Sequence, residues 1–286
     1  MEQILYESEL LALGKFSLAP SDPLWQELNV ITRGPIAAFP YSKVVIRHVG
    51  RDPFLVTPNH VTFYNSGQRY RRKLHDTTHR CVFVRFAPTF LAVATGGRAE
   101  LPFDHGPSAA EAFFAQHVVV RHLESEDEPD PLYVEETLSA ALARVLDDAF
   151  RLHRLRRRTR RSTELAHREL SETAKALLTE HVTERRPLVF YARKLHTSEF
   201  HLARIFRNAT GFSLHGYRKQ LRLRLALDQL AAPDVDLTAL AHSLGFASHS
   251  HFTDTFRQTF GVAPSTVRER GRRDRRELFR VAEAAL

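Results

Sequence analysis

Cysteine is nearly absent from this sequence, whose 286 residues contain only one, Cys81. A single thiol excludes an internal disulfide framework and a zinc cluster built on cysteines. Long hydrophobic runs are also missing, since no stretch approaches the roughly 18 apolar residues that a membrane-spanning helix needs. Met1–Leu13 carries Glu2, Glu7 and Glu9 instead of a basic segment followed by an apolar one, so no secretory signal is expected. These absences predict a cytoplasmic protein with a buried free thiol.

Charge is distributed unevenly along the chain. The net charge is +8, but residues 1–149 contain 14 Lys and Arg against 19 Asp and Glu, a balance of −5. Residues 150–286 contain 27 Lys and Arg against 14 Asp and Glu, a balance of +13. This asymmetry predicts that the second half binds a polyanion such as nucleic acid and that the first half has another task. A bias toward arginine codons is the alternative, but it does not explain the division between the halves.

The first half has the pattern of a β-rich domain, and the length of the chain favours two domains. Between Leu10 and Phe90 the apolar runs are short, β-branched or aromatic, and they are separated by turn residues such as Asp52-Pro53. Short strands at this spacing predict a β-sandwich or barrel. The strand candidates are Val44–Ile46, Phe54–Val56, Val61–Tyr64 and Cys81–Val84.

Two helices are predicted to follow the strands. Ser108 can cap the first, over Ala109–His122, and the second covers residues 132–154 after an acidic loop at 124–131. The second helix has an apolar stripe at spacings of three and four, which can pack on the β-domain or form a dimer seam. The stripe consists of Leu138, Leu142, Val145, Ala149 and Leu152. The basic run at 151–161 is interpreted as the interdomain linker.

One supersecondary unit is used twice in the basic half. Residues 188–218 recur at 237–268, with an offset of 49 that becomes 50 after a turn. Each copy begins with a short helix whose apolar face recurs at i, i+4 and i+7, and a second helix follows the turn. The matched positions are Leu188 with Leu237, Ala192 with Ala241, Leu195 with Leu244, Leu202 with Phe252, Phe206 with Phe256, Arg207 with Arg257, Gly211 with Gly261 and Arg218 with Arg268.

The residues at the turns and caps identify each copy as a helix-turn-helix. Gly245 tolerates the left-handed backbone of a tight helix end, and His196 is among the non-glycine residues that adopt it. Ser198 and Ser248 are suited to cap the second helices. A glycine, Gly211 or Gly261, then ends each second helix. Two such helices on one chain can enter successive major grooves of DNA, about 34 Å apart.

Two further helices are predicted around the copies. Ser162 is expected to cap a helix over 163–184, and Pro187 to open the next helix in its first turn. Between the copies, Ser213 starts a helix over 214–232 that would hold the two units at a fixed separation. Four basic residues of this helix are expected to supply surface charge, namely Arg218, Lys219, Arg222 and Arg224.

Two segments of the basic half carry a family resemblance. They are LHTSEFHLARIFRNATGFSLHGYRKQLRLRLALDQL and ALAHSLGFASHSHFTDTFRQTFGVAPSTVR, the second ending in the specific pattern GFxSxSxFxxxFxxxFGxxPSxxR. Over roughly residues 165–270 the chain resembles the arabinose-regulator (AraC/XylS) family of bacterial transcription factors. The resemblance implies a seven-helix DNA-binding domain and, commonly, a cupin-like sensing domain before it.

The expected fold class is therefore α+β, with an N-terminal cupin-like β-domain, a helical pair and a C-terminal all-α domain that contains two helix-turn-helix units. The expected division is a cupin-like effector-sensing domain over 1–106, a helical dimerisation and linker region over 107–161, and a DNA-binding domain over 162–286. The basic end at 270–280 is expected to add nonspecific affinity for DNA.

The resemblance also implies which residues contact bases. The expected base contacts, on recognition helices over about 198–208 and 248–260, are Phe200, Ala203, Arg204, His249, Ser250, Thr253 and Asp254. Arg204 is the strongest candidate, because arginine pairs in bidentate fashion with guanine. Asp254 departs from the family, in which a basic residue often stands at this position. An acid can accept a hydrogen bond from cytosine or can merely neutralise Arg257, and both interpretations stay open.

Other basic residues are expected to contact phosphates, which fixes the register on DNA without reading sequence. Each of them can also be an ordinary surface charge. The expected phosphate contacts are Arg193, Lys194, His201, Arg207, Lys219 and Arg257.

The sensing half offers fewer candidate residues. Arg47, Tyr64, Tyr70 and Arg72 can line an effector pocket, although each can equally be strand surface. No metal or other cofactor is expected, since His75 and His79 are four apart on a predicted turn and no His-x-His motif with a following Glu marks a metal-binding cupin.

The sequence therefore predicts a DNA-binding transcriptional regulator, modulated by a small molecule and not an enzyme. Its expected partners are double-stranded DNA, an effector, RNA polymerase if it activates transcription, and a second copy in a homodimer, with no membrane. The alternatives are a ligand-independent DNA-binding protein and an enzyme, either a cupin oxygenase or an alkyl-transfer repair protein, fused to the same domain. The missing metal spacing and the position of Cys81 in a predicted strand argue against the two enzymes.

Overall fold

The structure is a computed structural model of the chain that describes residues 2–25, 27–73, 77–125, 130–155, 161–232, 234–268, 278, 280–282, 284 and 286. The chain divides into two compact units, Met1–Ala149 with Gly271–Leu286, and Phe150–Arg270. Most of the predicted helical region over 107–161 therefore belongs to the first unit. Parts of several predicted features lie outside the described residues, namely 126–129 of the acidic loop, 156–160 of the linker, His75, Pro233, and 270–277 and 279 of the basic end.

The first unit contains two antiparallel β-sheets. The strands are β1 (Glu2–Glu7), β2 (Leu11–Leu18), β3 (Asn29–Val30), β4 (Ile36–Pro40), β5 (Val44–His48), β6 (Phe54–Val56), β7 (His60–Tyr64), β8 (Arg69–Lys73), β9 (His79–Phe86) and β10 (His105–Pro107). One sheet has the order β1-β2-β9-β4-β7-β10 and the other β3-β8-β5-β6. The β-rich first half that the short, turn-punctuated runs predict is confirmed.

The core of this unit is formed by apolar residues from both sheets. Leu18 and Phe83 of the six-stranded sheet belong to one buried cluster with Val44 and Ile46 of the four-stranded sheet and with Trp25. On β5 the burial alternates, because successive side chains of a strand point to opposite faces. The inner faces of the two sheets therefore supply the interior of a sandwich.

Among the described residues up to 155, a 3-10 helix (Pro23–Trp25) and three α-helices accompany these strands: α1 (Pro88–Thr95), α2 (Ala110–Leu123) and α3 (Pro131–Leu155), the last of which begins in the first unit. The sequence pattern missed α1, and α2 begins after Ala109 as its N-cap instead of Ser108. Four of the five residues of the predicted stripe of α3 are buried within the chain, with Leu138 and Leu142 fully inaccessible, and the fifth, Leu152, is half-buried. A Cβ added at Gly106 of β10 would lie 2.5 Å from the Ala149 Cβ, so the helix packs closely on this strand. This burial favours packing on the β-domain over a dimer seam.

The described residues of the second unit form seven helices after the end of α3. They are α4 (Arg161–Glu180), α5 (Leu188–Lys194), α6 (Glu199–Thr210), α7 (Leu214–Gln229), α8 (Leu237–Ser243), α9 (His249–Phe260) and α10 (Pro264–Arg268). Ser162 lies inside α4 instead of capping it, and Pro187 is the N-cap of α5 instead of its first helical residue. No helix in the described part of the chain is long and apolar enough to cross a membrane.

Candidate nucleic-acid interface and effector cavity

The two helix-turn-helix units, α5–α6 and α8–α9, begin their second helices in the same way. The Ser198 Oγ accepts a hydrogen bond from the His201 backbone N–H at 3.2 Å, and the Ser248 Oγ accepts one from the His251 N–H at 3.1 Å. Each bond satisfies one of the unpaired N–H groups at a helix start. The predicted serine caps are confirmed, and each second helix ends at a glycine with a positive φ, as predicted.

The turns of the two units have the same backbone conformation but different surroundings. His196 has a φ of +50° and Gly245 a φ of +75°, so the left-handed backbone predicted for both turns is confirmed. A Cβ added at Gly245 would lie 1.9 Å from the Thr183 carbonyl oxygen. Glycine is therefore required in the second turn by a close backbone approach as well as by its φ angle.

The helix α6 buries one face and exposes the other. Leu202 and Phe206 are fully buried, whereas Phe200 is 80% exposed. Arg204, four residues after Phe200, and Arg207, three residues after Arg204, are also exposed, so the three side chains lie on one accessible face. Among the other candidates on α6, Ala203 and His201 are half-buried.

The helix α9 has the same arrangement with different chemistry. Phe252 and Phe256 are fully buried. The candidates His249, Ser250, Asp254 and Arg257 are exposed, and Thr253 is half-buried. Within the described residues, no ion pair joins Asp254 to Arg257, so the interpretation of Asp254 as a neutralising partner gains no support from the structure. The exposed face of α9 therefore carries both an acid and a base.

A histidine of α4 lies beside the exposed face of α6. The His167 ring centroid is 5.7 Å from that of His201, and the Arg204 Nη2 is 3.4 Å from the His201 Nδ1. Partial burial, followed by the charges of His201 and Arg204, lowers the pKa of His167. Sequence reasoning missed His167, because no pattern in the repeat connects α4 with the recognition helix. His167 can donate to a phosphate beside the groove that Arg204 would enter.

The remaining phosphate candidates are accessible to different degrees. Arg193 and Lys194 are exposed at the end of α5, and Lys219 of α7 is half-buried. All three are cationic groups at or near the surface of the unit that has the positive balance of charge.

Two arginines of α7 are buried instead of supplying the predicted surface charge. Arg224 is 1% exposed and Arg222 is 9% exposed. The Arg222 guanidinium donates to the Val182 carbonyl at 2.5 Å, the Glu184 carbonyl at 2.9 Å and the Gly245 carbonyl at 3.0 Å. It therefore connects the loop after α4 to the turn of the second helix-turn-helix. The prediction of surface charge is wrong for both arginines, because each lies on the side of α7 that faces its own unit.

A cavity of about 540 Å³ lies in the first unit and is lined by residues of both sheets. Tyr64, Tyr70 and Arg72 line it. Arg47 does not, because it is exposed on β5 opposite Arg71, on the outer face of the sheet. The structure thus brings together three of the four predicted pocket residues.

Two further residues of the cavity belong to the two enzyme alternatives, a metal-binding cupin oxygenase and an alkyl-transfer protein. His79, one of the histidines considered for a metal, places its Nδ1 3.0 Å from the Ser42 Oγ and its ring 6.2 Å from the Trp25 ring. Cys81 also lines the cavity, and burial raises the pKa of its thiol to about 12. A thiol that stays protonated at neutral pH is a poor nucleophile, which argues against alkyl transfer.

Comparisons with known proteins relate this chain to bacterial regulatory proteins. A model of a helix-turn-helix domain matches residues 191–270. The regulatory proteins SoxS of Salmonella typhimurium and Escherichia coli are 30% identical over 106 residues, 37% of this chain and 99% of SoxS. The transcriptional activator RhaS of Pectobacterium carotovorum is 36% identical over 67 residues, 23% of this chain and 24% of RhaS. Among solved structures, Vibrio cholerae ToxT with a bound unsaturated fatty acid is similar, with a TM-score of 0.37 and 14% identity over 91% of this chain and 95% of ToxT.

Two capped helix-turn-helix units on a basic helical unit, preceded by a β-sandwich, define a DNA-binding transcriptional regulator. The alignment with SoxS extends over nearly the whole of that regulator. The chain belongs to the AraC/XylS family of bacterial transcriptional regulators.

Proposed function

We propose that this regulator recognises a specific operator and that a small molecule bound in its first unit changes its affinity for that operator. The observation that carries the proposal is the cavity of about 540 Å³ inside the β-sandwich of a chain whose other unit has two helix-turn-helix motifs. Its volume lies in the range of about 300–1,000 Å³ that is usual for small-molecule sites. A β-domain with such a cavity is suited to sensing, whereas a DNA-binding protein without a ligand has no need of one.

Sequence-selective binding is the first part of the proposal to test. The full chain would be used to select sites of roughly 20 base pairs from random duplexes, since two recognition helices in successive grooves span about that length. We expect the selected site to be bound at least about 10³-fold more tightly than a scrambled duplex at physiological salt. A preference of no more than about tenfold would contradict the proposal.

Arg204 is proposed as the principal base-reading residue. Its side chain is exposed on α6, next to the exposed ring of Phe200, which can contact a thymine methyl group. The other base contacts are proposed to be Ala203 on α6 of the first helix-turn-helix, and His249, Ser250, Thr253 and Asp254 on α9 of the second. Phosphate contacts are proposed for Arg193, Lys194, His201, Arg207, Lys219 and Arg257.

We expect the substitution Arg204→Ala to cost about 1–3 kcal/mol of binding free energy and to relax the preference at one base pair. The measurement is fluorescence anisotropy on the selected duplex and its single-base variants. Arg207→Ala is the matched control, because Arg207 is an exposed arginine one turn further along the same helix. It is expected to weaken binding to all sequences equally and to reduce the salt dependence. An equal loss on all sequences for Arg204→Ala would show that Arg204 contacts phosphate instead.

The remaining partners are parts of the same proposal. RNA polymerase would be contacted if the protein activates transcription, and a homodimer would form through a surface other than the buried stripe of α3. Equilibrium sedimentation of the full chain tests the dimer. A purified protein that sediments as a monomer at micromolar concentration, with and without operator, would contradict it.

A further inference from the structure

The cavity of the first unit contains a fixed guanidinium. Arg72 of β8 donates through Nη2 to the Tyr70 hydroxyl at 2.6 Å and through Nη1 to the Asn29 Oδ1 at 3.2 Å. Its Cζ lies 4.4 Å from the centre of the Phe16 ring and 4.9 Å from that of the Tyr70 ring. The two hydrogen bonds and the two aromatic contacts hold the planar group in one orientation.

The bonds that hold Arg72 leave part of its donor set for a ligand. A guanidinium has five N–H donors, and the two bonds to Tyr70 and Asn29 use one on each terminal nitrogen. A carboxylate is the group whose two oxygens match a pair of guanidinium donors. The rigid placement of Arg72 reduces the entropy that a ligand would lose in forming such a pair.

The charged residues that line the cavity are mainly basic. They are Arg33, Arg72 and Arg85 against one acid, Glu2. Arg85 is paired with Glu7, and Glu2 is exposed at the edge of the unit. Arg33 is exposed, whereas Arg72 is half-buried, so among the described lining residues Arg72 is the least exposed arginine that is not held in an ion pair with an acid.

The apolar part of the lining supplies 11 of its 22 residues, and polar residues supply much of the rest. It includes Ile31, Ile36, Val44, Ile46, Val56 and Phe83. A strongly hydrated ligand such as a free sugar would leave the hydroxyls that face this apolar part without partners, which is costly. An inorganic phosphate would fill little of about 540 Å³ and would bury no apolar surface.

We propose that the effector is an organic monocarboxylate with an apolar body, bound with its carboxylate on the Arg72 guanidinium. Asn29 and Tyr70 act as positioning residues for Arg72, and the apolar walls hold the body of the ligand. This proposal rests on the proposed function, because it names the class of molecule that the sensing unit takes.

The test compares ligands that differ only in charge. Isothermal titration of the full chain would use 2-naphthoate and decanoate, with 2-naphthamide and decanamide as neutral counterparts. We expect at least one carboxylate to bind more than about tenfold tighter than its amide. Equal affinity of acid and amide in both pairs, or no binding of either acid, would overturn the proposal.

Substitutions locate the effect at Arg72. Arg72→Met keeps a long side chain beside the Phe16 and Tyr70 rings and is expected to bind acid and amide equally. Arg72→Lys keeps the charge without the planar donor pair and is expected to retain part of the discrimination. Arg71→Met is the matched control, since Arg71 is the neighbouring arginine of β8 on the outer face. Because the single tryptophan, Trp25, is in the core of this unit, its fluorescence reports whether each variant is folded. Preserved discrimination in a folded Arg72→Met variant would overturn the proposal.

A parallel measurement of operator affinity separates the two proposals. If the neutral amide binds as well as the acid and still changes operator affinity, effector control stands and the carboxylate assignment fails. If the acid binds through Arg72 and operator affinity does not change, the carboxylate site stands and effector control fails.

Discussion

The substitution Gly245→Ala is expected to destabilise the second unit by about 3 kcal/mol and to abolish specific operator binding. A left-handed backbone costs a residue with a Cβ about 1–2 kcal/mol. The Cβ would in addition lie 1.9 Å from the Thr183 carbonyl oxygen and 2.8 Å from its carbon, neither of which is the flexible end of a side chain. The turn or the loop at Thr183 must therefore move, and α9 moves with the turn.

Two control variants separate the cost of the left-handed backbone from the cost of the contact between the added Cβ and Thr183. Gly50→Ala has a φ of +79° with open space around the added Cβ, so it measures the cost of the left-handed backbone alone. Gly245→Asn keeps a residue that tolerates this conformation but still places a Cβ against Thr183. Circular dichroism at 222 nm follows the helices of both units, and Trp25 fluorescence follows the first unit alone, so a loss of helix signal without a change in fluorescence reports on the second unit. A loss for Gly245→Ala no larger than that for Gly50→Ala would show that the contact with Thr183 yields without cost.

This difference between the turns explains what the sequence could predict and what it could not. The positive φ at His196 and Gly245, and the serine caps, are properties of a few adjacent residues, so the repeat was sufficient to predict them. The contact of Gly245 with Thr183 joins residues far apart in the chain, and no local pattern records it. The helix α7 follows from its own adjacent residues in the same way. The burial of Arg222 depends on the distant carbonyls of Val182, Glu184 and Gly245, so no local pattern predicts it.

The residues predicted to line the effector pocket also show how much of the structure a local sequence pattern can predict. The period of two along a strand places Tyr70 and Arg72 on the same face of β8, and both line the cavity. The same period on β5 places Arg47 outward, between the buried Ile46 and His48, so the sequence contained the information that excludes it. The period alone does not determine which face of a strand is the inner one when both faces carry arginines, as Arg71 and Arg72 do on β8. That assignment required the pairing of the strands.

Arg222→Met is expected to loosen the fixed relation between the two helix-turn-helix units. The guanidinium donates to carbonyls on both sides of a junction, those of Val182 and Glu184 after α4 and that of Gly245 in the turn before α9. Burial, followed by the charge of Arg218, lowers the pKa of Arg222 to about 10, so the side chain is still charged at neutral pH. Hydrogen bonds to a charged group contribute about 1.5–3 kcal/mol each. Methionine keeps much of the packing, so a loss of about 3 kcal/mol in the free energy of unfolding is expected.

The measurement that isolates this role is the dependence of binding on the spacing of the two half-sites. We expect the native chain to lose more than about tenfold in affinity when one or two base pairs are inserted between the half-sites, because each recognition helix must enter its own groove. We expect Arg222→Met to bind the native spacing less tightly and the altered spacings almost equally. Arg218→Met is the matched control, since Arg218 lies on the same helix and bonds to the Glu184 and Arg186 carbonyls without reaching the second turn. If the Arg222→Met variant keeps the spacing dependence of the native chain, packing alone holds the two helix-turn-helix units together. If the Arg218→Met variant also loses its dependence on half-site spacing, that loss is due to the loop after α4 and not to the hydrogen bond at Gly245.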